Sequence, residues 1–74
     1  MKEVRVLVRT EELQAERKRR KATQQDAAKA IGCSTNTYCA KENNEAKFDI
    51  EEAVKLCEFL GIESKEKRAY IFLC

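Results

Sequence analysis

Four kinds of side chain in this 74-residue sequence could do chemistry: its cysteines, its acidic residues, a basic run and a patch of small polar groups. Cys33, Cys39, Cys57 and Cys74 stand singly, with no CxxC pair and no histidine anywhere in the chain. Zinc sites and disulfide frameworks call for clustered ligands or a secreted context. The four cysteines therefore read as packed or surface thiols in a reducing cell. Glu51, Glu52 and Glu58 follow a helix-capping signal and fall mostly on the exposed side of an amphipathic helix, where solvation rather than acid–base work is expected. No nucleophile is paired with a base, and no phosphate loop or metal cluster is present. The expectation is a protein that is not an enzyme, with no catalytic residue, no metal, no cofactor and no small-molecule substrate.

The basic run and the polar patch remain. Arg17 to Lys21 are five consecutive cations, and residues 1–30 hold nine Lys/Arg against five Asp/Glu, whereas residues 31–74 hold six against eight. Such a run suits either a helix C-terminus, where the dipole favours cations, or a surface that meets phosphates. The patch lies in TQQDAAKAIGCSTNTYCAKEN, Thr23 to Asn43, which offers only Ile31 and Tyr38 as large apolar side chains. A solvated helix normally carries long charged residues that favour the helix. A short, uncharged polar face between basic flanks is shaped to approach another surface closely.

The elements that must position this patch are legible from their caps. Residues 3–9 alternate as a strand, with Val4, Val6 and Val8 on one face and Arg5, Leu7 and Arg9 on the other. A strand cannot stand alone, and the partner expected within the chain is Tyr70-Ile71-Phe72-Leu73; otherwise the partner is a second subunit. Thr10 is placed to cap a helix at about 11–20, anchored by Leu13, with Glu11 and Glu12 in its first turn. Thr23-x-x-Asp26 forms a capping box for a second helix whose inward face is Ala27, Ala28 and Ile31, ended by Gly32 in a left-handed cap. Ser34 caps a third helix, about 35–43. Asp49-x-x-Glu52 opens a fourth, about 50–60, with an apolar stripe of Ile50, Ala53, Val54, Cys57 and Leu60, widened by Leu56 and Phe59. Ser64 caps a last short helix, about 65–69.

Charged residues at 38%, hydrophobic ones at 43% and the absence of proline suit a small helical domain. Its length is near the lower limit for a single core. No apolar run approaches the roughly 20 residues of a membrane span. The first ten residues, MKEVRVLVRT, are charged throughout and lack a signal-peptide core, so a cytoplasmic location is expected.

Two short helices joined by a Gly-containing turn make a helix-turn-helix. Ala28 supplies the small residue at the crossing, Gly32 the turn, and Tyr38 the apolar residue pointing back from the second helix. With these residues in place, the sequence resembles the Cro- and repressor-type helix-turn-helix family, especially its small phage- and prophage-type regulators. The resemblance covers about residues 13–62 and runs through Arg17, TQQDAAKAIGCS, TYCAKEN and FDIEEAVKLCEFLGI. It implies a mostly α, five-helix, lambda-repressor-like domain, here with short terminal strands, organised as one unit over 1–74. In that unit 1–9 is a strand, 10–62 the helical core and 63–74 a short helix and strand. It also implies binding to double-stranded operator DNA as a homodimer, without a cofactor and without a membrane.

Carried over position by position, the resemblance implies that Arg17 and Glu42 form a structural ion pair between the first and third helices. Gln24 falls where relatives touch a phosphate, and Thr35, Asn36, Cys39 and Ala40 fall where they reach base edges. The chemistry of these residues agrees. Asn can pair in bidentate fashion with adenine, and Thr35 and Ala40 can meet a thymine methyl. With no arginine here to read guanine, an A/T-leaning half-site is expected. Thr37, Lys41, Asn43, Asn44 and Lys47 are candidates for flanking phosphates. Glu16 occupies a place that is usually apolar, Lys41 replaces a large hydrophobe, and Asn44 stands where glycine is frequent. The function implied is a sequence-specific transcriptional regulator, a repressor in preference to an activator. The alternative of another class is a protein-binding adaptor, such as an antitoxin-like or antirepressor-like module, using the apolar fourth helix and the strand termini.

Overall fold

The computed structural model describes residues 5–73. The elements run β1 (Arg5–Val8), α1 (Thr10–Arg19), α2 (Gln24–Ile31), α3 (Thr35–Glu42), β2 (Phe48–Asp49), α4 (Ile50–Leu60), α5 (Lys65–Ile71) and β3 (Phe72–Leu73). Val4 and Cys74, which the sequence placed in the first strand and among the thiols, lie outside the described residues.

Local signals set most boundaries. Thr23 and Asp26 exchange side-chain and backbone hydrogen bonds at both ends of the box that opens α2, and Asp49 and Glu52 do the same for α4. Ser34 and Ser64 accept from the third helical N–H of α3 and α5. Gly32 and Gly61 close α2 and α4 at φ +82° and +69°, a region that costs a residue with a Cβ roughly 1–2 kcal/mol. Thr10 does not cap α1 as the sequence suggested. It is the first helical residue, and Arg9 is the cap, without a side-chain bond. The Arg9 N–H bonds to the Ile71 carbonyl, while its own carbonyl accepts from Leu13, so the strand passes straight into the helix one residue early.

β1 is the middle strand of a three-stranded antiparallel sheet ordered β2-β1-β3. Its register sets Val6 against Phe48 and Val8 against Phe72. Of the two partners the sequence leaves open, the C-terminal segment is the one that pairs here, but only Phe72 and Leu73 are strand; Tyr70 and Ile71 belong to α5. The second partner, Phe48–Asp49, was not foreseen, because two residues are too few to show an alternating pattern. Val6 and Val8 are buried while Leu7 is exposed, as the alternation requires.

The core joins Val6 and Val8 to Leu13, Ala27, Ala28, Ile31, Tyr38, Phe48, Leu56, Leu60, Ile62, Ile71 and Phe72. Phe48 stands edge-on to both Tyr38 and Phe72, at centroid distances of 6.2 and 5.8 Å. The expected stripe on α4 is turned. Ala53, Leu56, Cys57 and Leu60 face inward, whereas Ile50 and Val54 are each 43% exposed. Asp49 is at once the last residue of β2 and the cap of α4, so strand pairing fixes the helix phase and brings Leu56 into the core.

Glu16, at a customarily apolar place, is also buried. Its Oε2 receives Arg19 at 3.0 Å and Lys67 at 2.6 Å, tying α1 to α5 with its charge balanced. Arg9 adds a second tie, donating to the Tyr70 carbonyl at 2.7 Å with its guanidinium 4.5 Å above the Tyr70 ring.

The turned stripe yields a direct expectation. Leu56→Ala should cost about 2–5 kcal/mol, as truncation of a fully buried leucine does. Val54→Ala should cost under about 0.5 kcal/mol. Urea unfolding measures both, and equal losses would mean that Val54 is packed after all.

Candidate nucleic-acid interface

α2 and α3 cross where side chains are smallest. Ala27 and Ala28 have almost no exposed surface, and Tyr38 of α3 is fully buried in the same core, edge-on to Phe48. Gly32 turns the chain, Cys33 follows, and the Ser34 hydroxyl accepts the Thr37 N–H at 3.1 Å while donating its own proton to the Thr37 hydroxyl at 2.9 Å. The first turn of α3 is thereby fixed before any partner arrives.

The far end of α3 is held by a buried charge network. Arg17 of α1 grips Glu42 with two bonds, Nε to Oε2 at 2.9 Å and Nη2 to Oε1 at 3.2 Å. Its third nitrogen, Nη1, donates to the Ala22 carbonyl at 3.0 Å. Gln24, at the start of α2, donates Nε2 to Glu42 at 3.1 Å and accepts the Cys39 thiol on Oε1 at 3.0 Å. Burial alone would push the Glu42 carboxyl upward, but the Arg17 guanidinium, the nearby Tyr38 hydroxyl and the Gln24 amide outweigh it and hold the carboxyl below its ordinary value of 4.5. Burial, and then the Glu42 charge, push the Tyr38 hydroxyl far upward, so it stays protonated. Its Oη is buried beside the pair without a well-formed hydrogen bond of its own.

The residues singled out from the sequence divide into three groups. Thr35, Asn36, Cys39 and Ala40 share the outward part of α3; Asn36 is exposed and the other three are half-buried. Among the described residues the Asn36 amide has no intramolecular hydrogen bond. Thr37, Asn43 and Lys47 are exposed along the same helix and the loop after it. Gln24, Lys41 and Asn44 instead have partners inside the molecule. The Lys41 ammonium sits between both Glu52 oxygens at 2.5 Å, 5.9 Å from the Phe48 ring centre, with its side chain only 13% exposed. Its charge therefore goes to α4, whereas the sequence alone pointed to a flanking phosphate. Asn44 bonds through its side chain to both backbone groups of Val8. Neither partnership has a local signature, since 11 and 36 residues separate the partners.

The basic run ends at the opening of α2. Lys18, Arg20 and Lys21 are exposed there, and Arg20 reaches toward the Gly61 carbonyl at 3.5 Å. Burial raises the Cys33 and Cys57 thiols, which makes them poor nucleophiles. Among the described residues, no group of three or more His, Cys, Asp or Glu side chains is placed to hold a metal ion.

A helix-turn-helix family model matches residues 13–67, the span from the Leu13 anchor through the crossing of α2 on α3 and into α5. The chain belongs to the Cro/C1-type helix-turn-helix family. No curated protein and no solved structure gives a significant match. This helix-turn-helix protein therefore carries the domain of a DNA-binding regulator, from a family of DNA-binding domains and not of enzymes. Among its described residues, no helix is long and apolar enough to cross a membrane.

The lowered Glu42 value fixes the sign of a pH effect. A carboxyl held below its unfolded value stabilises the fold fully above about pH 4.5, and that contribution is lost as pH falls through the folded value. Glu42→Gln should therefore cost about 3–5 kcal/mol near pH 7, where it strands the Arg17 charge. The gap between the variant and the parent should narrow on acidification below pH 4.5. Urea unfolding across pH reads this out, and a gap independent of pH would show that the carboxylate charge is immaterial.

Proposed function

We propose that this protein is a sequence-specific double-stranded DNA-binding transcriptional regulator of repressor type, whose helix α3 enters the major groove. One observation carries the reading. The amino-terminal half of α3 presents the unengaged Asn36 amide with Thr35 beside it and Cys39 and Ala40 one turn on, while the other half is anchored to the rest of the fold. A free amide at the start of a rigidly held helix suits bidentate pairing with adenine, and the neighbouring small groups suit thymine methyls. Thr37, Asn43 and Lys47, with the cations that end α1, are the groups we assign to flanking phosphates. Gln24 serves the same surface from behind by fixing Cys39 and Glu42. Repression then follows from occupancy, since a protein seated across a promoter excludes competitors.

We further propose that two copies bind together, because one helix of this length reads too few base pairs, and paired half-sites lie about 34 Å apart or a multiple of it. β1 already has a neighbour on either side, which argues against strand exchange through the N-terminus. The apolar cleft among Val6, Ala53, Cys57, Ala69 and Phe72, flanked by exposed Ile50 and Val54, is the surface we assign to the second copy. The same face is what a protein-binding adaptor would use, so the two readings must be separated by how binding depends on salt and sequence.

Binding of the parent and of Asn36→Ala to A/T-rich and unrelated duplexes, titrated across salt, makes that separation. The parent should lose affinity steeply as salt rises, through release of counterions from neutralised phosphates. Asn36→Ala should lose about 1–3 kcal/mol of sequence discrimination with its non-specific affinity and salt slope intact. Binding that stays flat with salt for every duplex would leave the adaptor reading in its place.

A further inference from the structure

Asn44 lies two residues beyond the end of α3, in the left-handed conformation at φ +62°. Glu45 and Ala46 both donate their N–H groups to the Ala40 carbonyl, at 2.8 and 3.1 Å, so the loop is folded tightly back on the last turn of the helix. From that loop the Asn44 side chain reaches across to β1. Its Oδ1 accepts the Val8 N–H at 2.9 Å and its Nδ2 donates to the Val8 carbonyl at 2.7 Å.

The pairing has the form of one further rung of the sheet. In an antiparallel ladder, alternate residues turn their N–H and C=O toward the same edge. Val6 faces Phe48 of β2 on that edge, and two residues on, where β2 has ended, Val8 meets the Asn44 amide instead. On the other edge Leu7 and Val8 lie against β3. One primary amide, with its donor and acceptor side by side, completes what a strand residue would supply. It thereby joins β1, and through the sheet β3, to the exit of α3.

We propose that Asn44 is a positioning residue, which couples the terminal sheet to the reading helix and sets the pose of α3 for sequence discrimination. Its consequence for DNA rests on the function proposed above; its consequence for the free protein does not. Asn44 therefore acts on DNA through α3 and not as one more phosphate contact, the role its polarity first suggested. When the clamp is absent, only the fraction of molecules with α3 in the reading pose binds well, and apparent specific affinity falls by that fraction.

The test uses the full chain with Asn44→Gly, which tolerates the left-handed backbone and deletes both bonds. Asn44→Asp serves as a graded second variant, keeping an acceptor for the Val8 N–H but setting a carboxylate against its carbonyl. In the free protein, hydrogen exchange at the Val8 amide should accelerate at least tenfold in Asn44→Gly, and the amide resonances of α3 should shift, with a smaller response in Asn44→Asp. Affinity for a preferred duplex should fall roughly five- to tenfold, the factor that about one ordinary hydrogen bond represents. Affinity for unrelated duplexes and the salt slope should hold. Unchanged Val8 exchange or unmoved α3 resonances would overturn the coupling. Equal losses on all duplexes would make Asn44 a phosphate contact and overturn its positioning role. A parent protein with no sequence preference would sink the function proposed above and the role in discrimination with it, while the exchange and resonance readouts would still decide whether the sheet and helix are coupled.

Discussion

The bidentate pair between Arg17 and Glu42 is the constraint on which the rest of this structure depends. Removing two charges from water is expensive, and their mutual attraction offsets that cost only if the geometry is good and their remaining hydrogen-bonding capacity is met. Here it is met from two further places in the chain, the Ala22 carbonyl in the turn and the Gln24 amide at the start of α2, so the pair draws together α1, that turn, α2 and α3. The pair therefore forms well in one arrangement of these elements. Gln24 extends the same logic outward, because the amide that satisfies Glu42 also accepts the Cys39 thiol on the outer part of α3.

From this anchor follows an asymmetry within α3. Its carboxyl-terminal half is fastened three ways, through Glu42 to α1, through Lys41 to Glu52 of α4, and through the Asn44 loop to β1. Among the described residues its amino-terminal half is held by the Ser34 cap and the buried Tyr38, and the Asn36 amide has no partner. Sites on rigidly supported elements hold their groups more accurately than sites on loops. The small polar residues that contribute little to the core are affordable because polar anchors elsewhere hold the helix in place.

Features written in neighbouring residues were legible before the fold was known. Two capping boxes, two serine caps and the left-handed Gly32 need only a four- to six-residue window, and they placed α2, α3, α4 and α5 to within a residue or two. The close crossing of α2 and α3 was legible from Ala28, Gly32 and Tyr38 for the same reason. The Arg17–Glu42 pair came from the family resemblance, since nothing in a separation of 25 residues announces it. The phase of α4 is not legible in its sequence because seven of its eleven residues are apolar, so composition allows several inward faces and only pairing of β2 with β1 selects one. Lys41 and Asn44 were assigned outward on side-chain type alone. Each is instead engaged by a partner whose nearness is a product of the tertiary fold, Lys41 by Glu52 and the exposed Asn44 by Val8.

The most direct test of DNA reading by α3 is selection of bound duplexes from a random pool by the intact chain. Enrichment of a short A/T-leaning element, repeated with two-fold symmetry at a spacing of about one helical turn, is the predicted result. Recovery of duplexes no different from the starting pool would contradict it.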